Sequence, residues 1–153
     1  MSQLNIHEYC QQHALKLTPW RTNVLDIMSE QKKPLTAYEI LDLLKERNPK
    51  AQVMSVYRVL DFLQVHGLVH RIESQNAFML CHHLSKKDAC ADHVSQWFIC
   101  KDCGHTIENT NDELDQLIEK MAAEHHFTIT APTIELIGLC AHCQQKENHN
   151  KKE

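Results

Sequence analysis

The first half of the chain repeats its apolar positions at helical spacing. Ile6 to Leu15 is a short helical stretch of mixed polarity. Thr18 can cap a second helix, and Pro19 suits its first position, where the missing N–H would be unpaired anyway. Val24, Leu25 and Met28 form the inward stripe of that helix. Pro34-Leu35 breaks the chain, and Thr36-Ala37-Tyr38-Glu39 reads as a capping box that opens a third helix with Ile40, Leu41, Leu43 and Leu44 inward. Asn48-Pro49 ends it. A further helix begins near Ser55, with Val56, Val59, Leu60 and Leu63 on one face and Ser55, Tyr57, Arg58, Asp61 and Gln64 on the other. Gly67 stops it.

The period then changes to two. Leu68 to Glu73 alternates as a strand, Ser74-Gln75-Asn76 turns, and Ala77 to Cys81 returns. His82 to Asp92 is polar with no period and reads as a linker. Beyond it come a strand over Gln96–Cys100, a short return over Thr106–Glu108 and a second capping box at Thr110-Asn111-Asp112-Glu113. Leu114, Leu117, Ile118, Met121 and Ala122 then form a helical apolar face. Phe127 to Leu139 reads as a strand, with Pro132 confined to an edge or bulge. The fold class is therefore α+β. Residues 1–82 form a winged helix-turn-helix, 83–94 a hinge, 95–145 a small α/β domain and 146–153 a flexible tail.

The second domain has a thin core, so it needs help from metal or self-association. Metal is written into its ends. Cys100-Lys101-Asp102-Cys103 and Cys140-Ala141-His142-Cys143 are two Cys-x-x-Cys knuckles. Four thiolates are what a closed tetrahedral zinc site takes. The competing readings are a redox pair or a disulfide, and two complete pairs in a chain of cytosolic character favour zinc.

The hairpin carries a second candidate. If its turn is centred between Gln75 and Asn76, His70 faces Cys81 across the strands, close enough for one ion to bridge. The alternative is a buried small Cys81 and a satisfied strand His70, and spacing alone does not choose between them.

Charge narrows the function. The net charge is −4, with no basic run, which argues against a nucleic-acid protein taken as a whole. The first 70 residues are nevertheless at +1 and the rest at −5, so any DNA contact belongs to the first half. There Tyr57 and Arg58, with Ser55 beside them, suit base-edge and phosphate contact. They could equally be a solvated helix face. No apolar run approaches the ~20 residues of a membrane span, and Met1-Ser2-Gln3-Leu4-Asn5 does not resemble a secretory signal. The expected location is therefore the cytoplasm, where seven cysteines stay reduced. A hydrolytic metalloenzyme is disfavoured, since the chain has neither His-Glu-x-x-His nor a Ser/His/Asp arrangement.

Leu17-Thr18-Pro19-x-Arg21, Ser55-Val56-Tyr57-Arg58-x-Leu60, the wing and the two knuckles, in this order, resemble the ferric uptake regulator superfamily. The match runs from about residue 5 to residue 143, and within the superfamily it is most similar to the zinc uptake regulator branch. Where iron-sensing members commonly carry His-His-Asp-His, this chain has Cys81-His82-His83-Leu84. The resemblance implies a homodimeric, zinc-responsive repressor controlling zinc uptake genes, binding operator DNA through its first domain and pairing through its second. It implies two zinc ions per subunit. The regulatory ion is held by His70, Cys81, His93 and Glu108, and the structural ion by Cys100, Cys103, Cys140 and Cys143. His82, His83 and Cys90 compete for the hinge position, and Cys10 is read as a non-ligand. On DNA, Arg58 is expected at a purine edge and Tyr57 at a thymine methyl or phosphate, with Arg21, Lys16 and Lys50 at phosphates. Asp61 would orient Arg58 or face a neighbouring dimer. No membrane and no small-molecule substrate beyond the metal is implied. Rival readings are a sensor of iron, manganese or peroxide in the same superfamily, and a zinc-buffering protein.

Overall fold

The structure, a computed structural model, describes residues 6–81 and 94–150, with side chains as far as residue 146. Two compact units divide the chain, Met1–Ala91 and Asp92–Glu153, and each contains one three-stranded sheet. His82, His83, Cys90 and His93 lie outside the described residues.

In the first unit, α1 spans Ile6–Gln12. It stops short of Leu15 because the backbone turns left-handed at Ala14, with φ 51°. Helix α2 spans Pro19–Gln31, with Pro19 at its start and the Thr18 hydroxyl accepting the Arg21 N–H. After the short strand β1 (Leu35–Thr36), which the sequence reading treats only as a break, α3 runs Ala37–Arg47. Its capping box is complete: Glu39 N–H donates to the Thr36 hydroxyl at 3.2 Å, and Thr36 N–H to the Glu39 carboxylate at 2.7 Å. Helix α4 spans Val53–Val65, starting two residues before the expected Ser55.

Val24, Leu25, Ile40, Leu44, Val56, Leu60, Leu63 and Leu68 are fully buried in one core that joins α2, α3 and α4. Each such side chain contributes about 1.5–3 kcal/mol on leaving water. Leu43, expected inward, sits at the rim and is only partly buried. The hairpin is β2 (Val69–Ile72) and β3 (Ala77–Leu80), with β1 on the far side of β3.

The register of this hairpin corrects the sequence reading. His70 pairs with Met79, not with Cys81. A 3-10 turn over Glu73–Gln75 and a left-handed Asn76 (φ 47°) lie between Ile72 and Ala77. This centres the turn one position earlier than Ser74-Gln75-Asn76 alone indicates. Cys81 lies just past β3, and its N–H donates to the Leu68 carbonyl at 3.0 Å.

In the second unit, β4 (Ser95–Cys100) lies between β5 (Thr106–Asn109), antiparallel, and β6 (Thr133–Gly138), parallel. A parallel neighbour needs a long crossover, and α5 (Asp112–Glu124) supplies it. Its cap is Asn111, not the expected Thr110 of a capping box: the Asn111 side-chain oxygen accepts the N–H groups of Glu113 and Leu114 at 2.9 and 3.1 Å. Strand β6 is shorter than the expected Phe127–Leu139, because His126 turns left-handed (φ 53°) after α5. Residues Ala141–Asn150 form α6, where the sequence reading expects a flexible tail from residue 146.

Trp97 is fully buried at the centre of β4, yet α5 has no buried residue. Leu117, Met121, Phe127, Ile107 and Ile137 are all more than half exposed. Among the described residues, no helix is long and apolar enough to cross a membrane.

Candidate metal centre and nucleic-acid interface

Two strands deliver the four knuckle cysteines to one point. Cys100 ends β4, opposite Gly138 on the parallel β6. The chain leaving β6 therefore reaches Cys140 beside Cys100, and the Cys140 N–H points at the Cys100 sulfur at 3.4 Å. Between Cys100 and Cys103 the backbone curls back, with Gly104 N–H donating to the Cys100 carbonyl at 2.9 Å. Gly104 allows this with φ +72°, a conformation other residues adopt at a cost. Lys101 N–H donates to the Gly138 carbonyl at 2.9 Å and fastens the two knuckles together. Cys143 lies in the first turn of α6, buried.

The four sulfurs all lie within 4.8 Å of one another, and those of Cys103 and Cys140 are 3.7 Å apart. A tetrahedral ion with zinc–sulfur bonds of ~2.3 Å sets its sulfurs roughly 3.8 Å apart. The protonation pattern also asks for a cation. Backbone N–H donation from Cys140, then Cys103, pulls the Cys100 thiol down to about 6. Burial, then the neighbouring sulfurs, push Cys143 up to about 12. Cys103 accepts the His105 N–H, which lowers it, yet its sulfur neighbours and burial leave it raised overall. Four crowded thiols thus cannot all ionise unaided, and a divalent cation removes the obstacle. The donor set fits zinc.

On the wing, the ligand atoms of His70 and Cys81 lie within 4.8 Å of one another. The corrected register explains how: Cys81 is two positions beyond Met79, the partner of His70, so the two are diagonal neighbours on one face. Cys81 is buried just past β3. Glu108 stands on β5 opposite Trp97 and is half-buried.

On α4, Arg58 is exposed and Ser55 and Tyr57 are half-exposed. Gln52 precedes this helix without a side-chain cap, and the Ser55 N–H donates to the Gln52 carbonyl at 3.0 Å. Lys16 and Lys50 are exposed. Ion pairs among the described residues include His7–Asp26, Arg47–Glu30 and Arg71–Glu73, and none of these joins Arg58 to Asp61. The Arg21 guanidinium lies over the Phe62 ring, 3.4 Å from its centroid. Cys10 is buried, free and raised by desolvation, as suits a small core residue.

The family model described as "Ferric uptake regulator family" matches residues 12–137. The zinc uptake regulation protein of Escherichia coli (strain K12) is 40% identical over 138 residues, covering 90% of this chain and 78% of that protein. The ferric uptake regulation protein of Neisseria gonorrhoeae is 30% identical over 135 residues, covering 86% and 88%. The solved structure of a zinc uptake regulator complexed with zinc and DNA superposes with a TM-score of 0.85 at 38% identity, covering 94% of this chain and 93% of that one.

Proposed function

The chain belongs to the ferric uptake regulator family, and on that premise we propose that it is a cytoplasmic, zinc-responsive transcriptional repressor. It binds operator DNA as a homodimer when its regulatory site carries Zn²⁺, and so controls zinc uptake genes. One observation carries this reading. A chain 40% identical to a zinc uptake regulation protein combines a complete four-sulfur cluster with a helix, α4, whose exposed Arg58 has no ion-pair partner among the described residues.

The donors are compatible with two zinc ions per subunit. Cys100, Cys103, Cys140 and Cys143 hold the structural one, a closed thiolate shell that serves folding. His70, Cys81, His93 and Glu108 form the regulatory set. The closeness of His70 and Cys81 on one face of the wing supports it. One soft thiolate with two imidazoles and a carboxylate suits zinc over a hard cation.

A zinc ion held by His70, Cys81, His93 and Glu108 would supply positive charge and fix the directions of those side chains. It can favour the DNA-binding form only by its differential affinity for that form, and by reciprocity DNA then tightens zinc binding by the same factor. The apolar side chains left exposed in the second unit, Leu117, Met121 and Ile137 among them, provide surface for the homodimer. On DNA, Arg58 reads a purine edge, Tyr57 meets a thymine methyl or phosphate, Ser55 contacts the backbone, and Lys16 and Lys50 neutralise phosphates.

The test is a gel shift on operator DNA across buffered free zinc, and separately across ferrous iron, with wild type and His93→Ala side by side. The reading expects zinc-dependent retardation that His93→Ala moves to higher zinc. Retardation by ferrous iron where free zinc is negligible would transfer the protein to the iron-sensing branch.

A further inference from the structure

Arg21 is placed unlike the exposed lysines expected at phosphates. Its backbone N–H closes the Thr18 cap of α2. Its guanidinium carbon stands 3.4 Å from the centre of the Phe62 ring, and Nη1 donates to the Lys16 carbonyl at 2.6 Å. The face and one edge of the guanidinium are therefore already engaged. A phosphate is best held by the free fork of an arginine, and this fork is partly spent.

Phe62 is on α4, one turn past Arg58, so the two share a side of that helix. From its own helix Phe62 also meets the His66 ring, at 4.4 Å between centroids. The α4 N-terminus has no side-chain cap to fix it. Val56, Val59, Leu60 and Leu63 anchor the inner face of α4 in the core, and Phe62, partly buried at the rim of that core, is where the Arg21 contact adds a brace.

We propose that Arg21 is a positioning residue for the DNA-reading helix: it braces α4 through the Phe62 ring and sets the aim of Arg58, instead of holding a phosphate of its own. The proposal rests on the reading of α4 as the helix that enters DNA. A cation held over an aromatic face is attracted by the ring quadrupole, and the planar guanidinium stacks better than an ammonium. Loss of either partner lets α4 rotate, which degrades sequence reading and leaves the count of phosphate contacts alone.

The test uses full-length, zinc-loaded protein and a duplex that the wild type selects from a random library. Affinity for that duplex and for a scrambled one is measured at several salt concentrations, with Arg21→Gln, Phe62→Leu and the double variant. The brace predicts that each single variant loses about threefold to tenfold on the selected duplex. The double variant loses no more than the worse single one. The scrambled duplex and the slope of log Kd against log salt stay as in wild type. A phosphate contact predicts otherwise: Arg21→Gln weakens both duplexes alike and lowers the slope by roughly 0.9 per contact, while Phe62→Leu is silent. That result overturns the brace. Thermal unfolding checks that the variants are folded. Should Arg21→Gln fail that check, Arg21→Lys decides, because it keeps the charge and loses the planar stack: impaired discrimination supports the brace, and wild-type discrimination overturns it. If the wild type selects no duplex at all, the DNA-binding reading fails first and takes the brace with it.

Discussion

The sulfurs of Cys103 and Cys140 lie 3.7 Å apart although 37 positions separate them in the chain. The parallel pairing of Cys100 with Gly138 brings them there, so the sheet of the second unit and its metal centre are one device. Cys103→Ser should therefore do more than weaken a metal site. With three sulfurs left, zinc is held more weakly, and the part of the folding free energy that the closed site supplies is reduced. Zinc content and size-exclusion chromatography should show a metal-poor protein that no longer dimerises. A stable dimer from this variant would refute the assignment of structural zinc to the knuckles.

The proton balance of that centre gives a pH prediction. Cys100 is lowered to about 6, so its thiol is ionised at pH 7, whereas Cys103 and Cys143 are raised and protonated. Zinc must displace the protons of the last two, so loading at pH 7 should release about two protons or more. Zinc affinity should rise with pH accordingly. In the metal-free fold the signs are opposed. The lowered Cys100 contributes stability that is full above the ordinary thiol value of 9.0 and is lost as pH falls through about 6. The raised Cys143 contributes below 9.0 and loses it towards about 12. Calorimetry in buffers of different ionisation enthalpy counts the protons, and release of less than one contradicts the scheme.

His70→Ala and Cys81→Ser should spare the fold and the dimer. Each should raise the free zinc needed for operator binding by about tenfold or more. The assay is fluorescence anisotropy under reducing conditions, since Cys81 must be a free thiol. Unchanged zinc dependence in both variants removes the wing from the sensing site.

Arg58→Ala should cost about 1–3 kcal/mol on operator DNA and relax discrimination at one base pair. Binding measured against a panel of single-site operator variants checks it. Equal loss on every sequence would make Arg58 a phosphate contact.

Most of the fold was legible because its signals are local. The capping box at Thr36–Glu39, Pro19 at a helix start and the stripe Val56, Val59, Leu60 and Leu63 each determine their own element. What the sequence hid depends on backbone excursions or distant partners. The left-handed Asn76 shifts the hairpin register, and the left-handed His126 shortens β6. Strand β1 exists only because β3 is there to pair with it. Helix α6 has no apolar stripe to announce it; burial of Cys143 in its first turn holds it against the metal centre. The knuckles were legible as a pair from spacing alone. His70 and Cys81 were rightly associated through a register that was wrong by one position in the turn, because a direct and a diagonal pair share one face. The engagement of Arg21 with Phe62 could not be read at all, since it joins α2 to α4 through a side-chain contact with no pattern in the chain.

The central claim is that zinc outside the four-sulfur cluster controls DNA binding. It is tested most directly by operator affinity measured across buffered free zinc on protein whose Cys100, Cys103, Cys140 and Cys143 site is already full. The account predicts affinity that climbs steeply with zinc and saturates when a second ion per subunit is bound. Affinity that stays flat over that range contradicts it.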